Sequence, residues 1–218
     1  MRYQGGKSRI AKPIASAIEL RQQSRESNNT LVSLFCGSCS IESKLAPNFD
    51  RVICNDKHKY LIEMFKALQN GYELPEYISE EQYKYIREHK DEDMALTGFV
   101  GFGCSFGGRF FEGYARNKEN TNYALQSKKS VLKDMQTLWN AEFTCLDYRD
   151  VIIPKDSVVY ADPPYNNTKP INRESFNTQE FWEYMRKISK DNMVFISELN
   201  APDDFKCIWE RPFTRTLD

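Results

Sequence analysis

Residues 31–45 read LVSLFCGSCSIESKL, and this stretch decides the fold. The apolar residues 31–35 predict a short buried strand, the small residues 36–40 predict a tight turn, and residues 41–45 begin a helix. A strand that turns sharply into a helix lets backbone amides approach a nucleotide-like ligand closely. The sequence therefore predicts an α/β protein with a ligand loop after this strand.

Four more apolar runs predict further strands, at residues 51–54, 142–146, 157–161 and 193–197. Residues with helical spacing of apolar side chains lie between them, so we expect a mostly parallel sheet. Three of the strands are followed by an acid: Asp56, Asp147 and Asp162. Strand-end acids converge at one edge of a parallel sheet, although a lone acid at such a place is more often a helix cap or a turn residue.

Asp162 opens the tetrapeptide Asp162-Pro163-Pro164-Tyr165. Proline fixes φ and carries no N–H, so the chain leaves the strand as a stiff elbow whose carbonyls can accept hydrogen bonds from a ligand. A carboxylate, a carbonyl and an aromatic ring in one place suit a planar base with an exocyclic amine, such as adenine. The alternative is an ordinary proline-rich turn that closes a strand.

These parts, in this order, resemble the amino-methyltransferases that act on DNA, and in particular the α group of adenine-N6 enzymes (Dam-like, D12 class). The resemblance covers nearly the whole chain. It implies a Rossmann-like methyltransferase fold with a small inserted recognition lobe, S-adenosylmethionine as cofactor and double-stranded DNA as partner. It assigns residues 1–70 and 140–218 to the cofactor-binding catalytic domain and residues 71–139 to target recognition and DNA contact.

The resemblance also implies roles for individual residues. In the family, the D-P-P-Y segment holds the target amine, the segment Y-x-G-G-K lies over the cofactor, and F-x-G-x-G forms the cofactor loop. An acid after the second strand accepts the ribose hydroxyls, and an acid followed by an aromatic residue holds the cofactor's adenine. The expected catalytic residues are Asp162, Pro163, Pro164 and Tyr165. The expected cofactor-binding residues are Tyr3, Lys7, Phe35, Gly37, Asp56, Asp147, Tyr148 and Asp162.

Two residues depart from the family pattern. Cys39 replaces the second glycine of the loop, which adds a Cβ where we expect the backbone to need positive φ. Ser33 stands two residues before Phe35, where the family usually has an acid, and its hydroxyl cannot pair with the methionine ammonium as a carboxylate would.

DNA contacts are expected in the segment 98–116, which is rich in glycine and phenylalanine. The net charge is only −1, but residues 100–135 hold six Lys or Arg against three acids, so a basic face can exist on a neutral protein. We expect this segment to form a wall for the extruded base, although a buried helix junction with phenylalanines in the core is the alternative. The expected DNA-binding residues are Ser105, Arg109, Arg116, Lys128 and Lys169.

The six cysteines include one C-x-x-C pair, Cys36 and Cys39. The pair also suits a thioredoxin-like redox site or a zinc site, but only His58 and His89 are available to complete a metal set. We therefore expect reduced, packed cysteines and no metal. The chain shows no secretory leader and no apolar run of membrane-spanning length, which predicts a cytoplasmic protein of a bacterial or phage-infected cell.

Three other functions stay open from the sequence. Cytosine-N4 methylation of DNA can use the same tetrapeptide. Protein glutamine methylation is a further possibility, although Asn rather than Asp normally leads its motif. A catalytically inactive DNA-binding or cofactor-binding relative would account for Ser33 and Cys39.

Overall fold

A computed structural model describes residues 1–22, 29–164 and 176–211, which form a parallel sheet covered by helices on both faces. The strands are β1 (Thr30–Ser33), β2 (Arg51–Asn55), β3 (Glu142–Thr144), β4 (Val158–Ala161) and β5 (Met193–Ile196). The helices are α1 (Ala11–Gln22), α2 (Glu42–Leu45), α3 (Lys59–Gln69), α4 (Glu80–Glu88), α5 (Met94–Gly103), α6 (Tyr123–Met135) and α7 (Thr178–Ile188). The predicted α/β class is confirmed.

The strand order in the sheet is β3-β2-β1-β4-β5, and every neighbouring pair is parallel. The chain runs outward from β1 through β2 to β3 and then crosses back to β4. The order therefore reverses between β1 and β4, and a crevice opens there at the carboxyl ends of the strands, where open α/β sheets bind their ligands. The predicted cofactor loop follows β1, and the predicted D-P-P-Y segment follows β4.

Two hydrophobic cores form because side chains alternate across the central strands. Leu31, Val158 and Tyr160 point into the larger core, which the helices α1, α3, α5 and α6 cover. Val32, Val159 and Ala161 point into the other core, against Phe181, Trp182 and Met185 of α7. The central strands are buried on both faces, which explains their continuous apolar runs.

Side-chain caps define where four of the helices begin. Ser79 and Gln82 form a reciprocal capping box at α4, and Asp93 caps α5 by accepting from the Leu96 amide. Asn122 and Asn177 cap α6 and α7 in the same way. Each cap satisfies a backbone amide that the helix itself leaves without a partner.

Helix α5 lies within the glycine- and phenylalanine-rich segment, and its glycines allow close packing. A Cβ added at Gly98 would lie 2.1 Å from the carbonyl oxygen of Tyr60 in α3, and one at Gly101 would lie 2.3 Å from the Phe110 ring. Phe99 and Phe102 are completely buried. The expected wall for an extruded base is therefore wrong for these two phenylalanines, because the core already surrounds them.

Helices α4, α5 and α6 lie between α3 and β3 in the chain, within the interval 71–139 that we assign to target recognition. Helix α5 packs against α3 and shares the larger core with it. Among the helices of the described residues, none has the length and apolar character needed to cross a membrane.

Replacing Gly98 with alanine tests the packing of α5 on α3. Glycine to alanine in a helix ordinarily stabilises a protein by about 0.5–1 kcal/mol. Here the new methyl group meets backbone, so we expect Gly98→Ala to lower the free energy of unfolding by about 1–3 kcal/mol. Denaturant unfolding measures this, and an unchanged or increased stability would contradict the packing described.

Candidate active site

The loop after β1 is held in a tight conformation by backbone contacts. The Cys36 amide donates to the Asn55 carbonyl at 2.8 Å, and the Gly37 amide donates to Asp56 Oδ2 at 2.9 Å. Gly37 has φ 47°, and a Cβ at this residue would lie 2.9 Å from the edge of the Tyr3 ring. Cys39 has φ 56°, so the expected positive φ at the replaced glycine is confirmed.

Asn55, the last residue of β2, joins the ends of three strands. Its side-chain amide nitrogen donates to the carbonyls of Leu34 (3.1 Å) and Leu146 (3.0 Å). Its amide oxygen accepts from the Leu146 amide (3.0 Å) and the Thr144 hydroxyl (2.8 Å). The four bonds use the full capacity of the buried side chain. Asn55 was not among the expected site residues, because in the sequence it is only a polar residue at the end of an apolar run.

Asp56 follows Asn55, and its carboxylate faces the crevice. It accepts from the backbone amides of Gly37 and His58, each at 2.9 Å. Burial raises the pKa of Asp56, while these two amides oppose the rise. The Asp56 carboxylate accepts from the His58 amide two residues later, as a lone acid in a turn is expected to do. It also borders the crevice.

One cavity of about 340 Å³ occupies the crevice at the strand ends, and we call it the strand-end cavity. Its volume lies within the range of sites that hold cofactors and drug-sized ligands. Its walls come from residues 3–7, 34–38, 40–42, 56–58, 146–149, 160, 162–164, 176, 177 and 180. All eight residues that the sequence analysis expected to bind the cofactor are among them.

One part of the cavity wall combines a cluster of aromatic rings with the ion pairs of an arginine. The rings of Phe35 and Tyr148 are 5.3 Å apart, and Phe176 and Phe181 pack against them. Arg149 forms a two-pronged ion pair with Asp147 at 2.7 and 3.0 Å and also reaches Glu180. Arg149 lowers the pKa of Asp147. The carboxylate expected to hold an adenine amino group therefore already has a strong partner, which the sequence did not reveal.

Asp162 lies at the carboxyl end of β4 and pairs with Lys7. The distance from Lys7 Nζ to Asp162 Oδ1 is 2.5 Å, and both side chains are largely buried. Burial raises the pKa of Asp162, whereas the Lys7 ammonium opposes that rise. Pro163 and Pro164 continue the cavity wall. Tyr165, the fourth residue of the tetrapeptide, lies outside the described residues, as does Lys169.

Two more acids that the sequence analysis did not select lie near this pair. Glu42, in the first turn of α2, is 2% exposed and borders the cavity. Burial raises its pKa to about 7, and the Ser33 hydroxyl donates to its Oε1 at 2.6 Å. Glu198 follows β5, and its pKa is raised by burial and by the charge of Asp162. The cavity is thus bordered by more acids than bases at its Asp162 end.

The cysteines around the loop are buried, free thiols. Burial raises the pKa of both Cys36 and Cys39, which disfavours the reactive thiolate. Within the parts of the chain that the structure describes, no three His, Cys, Asp or Glu side chains are grouped so as to hold a metal ion.

The residues expected to contact DNA divide into two groups. Ser105 is completely buried, and its hydroxyl bonds to the Tyr83 hydroxyl (2.7 Å) and the Gly101 carbonyl (2.6 Å), so the assignment of Ser105 to DNA is wrong. Of the other four, Lys169 lies outside the described residues, and three have acidic partners: Arg109 with Glu112 (3.3 Å), Arg116 with Glu80 (2.7 Å) and Lys128 with Glu76 (3.2 Å). The expected basic face is therefore partly neutralised.

Two comparisons with known proteins give matches to this chain. The chain is similar in part of its fold to the tRNA (m1A58) methyltransferase TrmI from Aquifex aeolicus, at 12% identity and a TM-score of 0.36. That match covers 86% of this chain, which spans 45% of the other. The model of the D12 class N6 adenine-specific DNA methyltransferases matches residues 3–99 and 105–196, which include the loop after β1 and Asp162 at the end of β4. The chain belongs to the D12 class N6 adenine-specific DNA methyltransferase family.

Proposed function

We propose that this protein transfers the methyl group of S-adenosylmethionine to N6 of an adenine that has been turned out of double-stranded DNA. The observation that carries the proposal is the position of Asp162. Its carboxylate lies at the carboxyl end of β4 and borders the same cavity as the loop after β1. Membership of the D12 family supports adenine over cytosine and over protein glutamine as the target.

The residues of the strand-end cavity fit the cofactor by their chemistry. Asp56 offers carboxylate oxygens for ribose hydroxyls, Phe35 and Tyr148 offer aromatic faces, and the tight turn at Gly37, against which the Tyr3 ring packs, brings the loop backbone to the cavity wall. S-Adenosylmethionine supplies a methyl group that its sulfonium already activates, so the chain need not provide an electrophile.

The chain's own contribution to the reaction lies at Asp162 and Pro163. The adenine N6 lone pair is delocalised into the ring, which makes this nitrogen a poor nucleophile. Hydrogen bonds from the two N6–H groups to the Asp162 carboxylate and the Pro163 carbonyl would stabilise the positive charge that develops on the nitrogen and orient its lone pair. The proton that N6 loses after methylation would pass to the Asp162 carboxylate or to solvent. Lys7 favours the ionised form of Asp162 against the effect of burial, because an adjacent cation stabilises the carboxylate.

Removing the Asp162 carboxylate tests its catalytic role. We expect Asp162→Ala to lower the methyl transfer rate to DNA by about 10²-fold or more, because a preorganised acceptor for developing charge is lost. Labelled methyl transfer measures the rate, and circular dichroism checks the fold. Asp191→Ala, an exposed acid at the opposite end of the sheet beside Lys155, is the matched control and should keep normal activity. Near-normal turnover by folded Asp162→Ala would exclude the assignment.

Removing the Lys7 charge tests the ionisation of Asp162. Burial raises the Asp162 pKa and Lys7 lowers it, so Lys7→Met should raise it further. The acid limb of kcat/KM for DNA, measured at saturating cofactor, should then move to higher pH by about 1–3 units, with activity recovered at alkaline pH. Lys7→Arg keeps the charge and should keep the profile nearly unchanged. An acid limb that does not move in Lys7→Met would show that Lys7 does not set the charge of Asp162.

The DNA face is the second part of the proposal, and it rests on Arg109, Arg116 and Lys128. Their side chains are 49%, 67% and 22% exposed, and their ion pairs lie at the surface. Exposed ion pairs contribute only about 0–1 kcal/mol, so DNA phosphates can replace the acidic partners. The inserted interval 71–139 would in this way position the duplex over the strand-end cavity.

Salt dependence of DNA binding tests this face. Each of Arg109→Ala, Arg116→Ala and Lys128→Ala should reduce the log–log salt slope by about one unit, while cofactor affinity stays unchanged. Arg51→Ala is the matched control: Arg51 is 50% exposed and paired with Glu142, but it lies at the amino end of β2. If the three variants bind DNA with the slope of Arg51→Ala, the DNA face lies elsewhere.

A further inference from the structure

Glu42 is an acid buried beside the strand-end cavity without a basic partner among the described residues. It is 2% exposed, and no Lys, Arg or His within ranges 1–22, 29–164 and 176–211 forms an ion pair with it. A carboxylate can accept about four hydrogen bonds, and the Ser33 hydroxyl supplies one at 2.6 Å. Burying such a group is costly unless a cation or further donors compensate it.

The surroundings of Glu42 favour a cationic ligand over another explanation. Asp162, beyond the end of β4, adds a negative field at Glu42, while Lys7 already pairs with Asp162. The thiols nearest to the acid, Cys36 included, are neutral because burial raises their pKa. A positive group that enters the cavity would therefore find at Glu42 a carboxylate that no basic side chain of residues 1–22, 29–164 or 176–211 neutralises.

We propose that Glu42 binds the α-ammonium of the methionine part of S-adenosylmethionine, with Ser33 as the residue that positions its carboxylate. The inference rests on the proposed cofactor and goes beyond it, because it assigns the cation-binding acid to α2. The Ser33 side chain contacts the Glu42 carboxylate. An acidic residue at position 33 would therefore place its own carboxylate in the same part of the site. The acid that this chain lacks at the end of β1 is thus supplied from the helix that follows.

A protonation change accompanies this binding. Burial raises the pKa of Glu42 to about 7, so the free protein holds it partly protonated near neutral pH. An ammonium favours the carboxylate, so binding lowers this pKa and releases a proton. Cofactor affinity should therefore fall as the pH drops below about 7, by up to tenfold for each unit. Asp162 and Glu198 face the same region and titrate in every variant, and the Lys7 ammonium lies there as well, so the comparison with a variant lacking the Glu42 charge isolates its effect.

Isothermal titration of the full chain with three ligands tests the proposal. S-Adenosylmethionine and S-adenosylhomocysteine carry the ammonium, whereas 5′-methylthioadenosine does not. Glu42→Gln keeps the shape of the side chain and a possible contact to Ser33 but removes the charge. It should weaken the first two ligands by about 10–100-fold and leave 5′-methylthioadenosine within about twofold. Glu142→Gln, an exposed acid at the start of β3, is the matched control and should bind all three normally.

Two further measurements complete the test. Moving the acid, in the double variant Ser33→Asp with Glu42→Ser, should recover part of the lost affinity for the two amino acid ligands. Titration of the wild type at pH 6.5, in buffers of different ionisation enthalpy, should show proton release, and this result does not depend on a variant that folds.

The outcomes separate this inference from the proposed function. If the wild type binds none of the ligands, the proposed cofactor is wrong. If the wild type binds but Glu42→Gln weakens all three ligands equally, or none, Glu42 is a structural acid. If Glu42→Gln weakens the binding of S-adenosylmethionine alone, Glu42 contacts the sulfonium, which only this ligand carries. That result would also overturn the assignment to the ammonium.

Discussion

The side-chain amide of Asn55 is the contact on which the site depends. It binds the carbonyl of Leu34 after β1 and both the amide and the carbonyl of Leu146 after β3, so three segments meet at fixed distances. Backbone hydrogen bonds continue past the strand ends, as from the Cys36 amide to the Asn55 carbonyl, but they join only neighbouring strands. The Asn55 side chain links the segments after β1 and β3, which are not neighbours in the sheet. The loop after β1, Asp56 and the pair Asp147–Tyr148 all follow directly from these three strand ends. A buried amide with all four bonds satisfied is rigid, since any displacement leaves an unpaired polar group.

Electrostatics then gives the strand-end cavity two ends of different character. At one end, Asp147 is neutralised by Arg149 beside the rings of Phe35 and Tyr148. At the other, burial raises the pKa values of Asp162 and Glu42, and Lys7 supplies the balancing charge for Asp162. A ligand with a flat aromatic group at one end and positive charge at the other matches this division. The acids at the Asp162 end can be buried without unfolding the protein because each has a hydrogen-bond donor or a cation in contact.

Much of this arrangement could be predicted from the sequence, and the failures have identifiable physical causes. Five apolar runs predicted the five strands, because a run of apolar side chains is a local property of the sequence. The acids Asp56, Asp147 and Asp162, which follow three of these runs, indicated the edge of the sheet at which they converge. Helix α5 was expected only as the alternative, a buried helix junction, because three glycines lower its helix propensity. Tertiary packing against Tyr60, Phe110 and Ser127 accounts for these glycines. Ser105 was misassigned, and the partner of Arg116 was missed, because these contacts join residues brought together by the fold. The partner of Asp147, Arg149, lies only two residues away, and the spacing alone did not indicate that the two side chains would pair. Glu42 gave only a weak signal, an acid at the start of a helix, which is common for dipole reasons alone.

The central claim is that the amine acceptor between Asp162 and Pro163 receives adenine N6. The most direct measurement is mass spectrometry of nucleosides after duplex DNA has been incubated with the protein and S-adenosylmethionine carrying a trideuterated methyl group. The account predicts that the heavy methyl group appears in N6-methyldeoxyadenosine. Label in N4-methyldeoxycytidine instead, or no label in DNA from a folded protein that binds the cofactor, would contradict it.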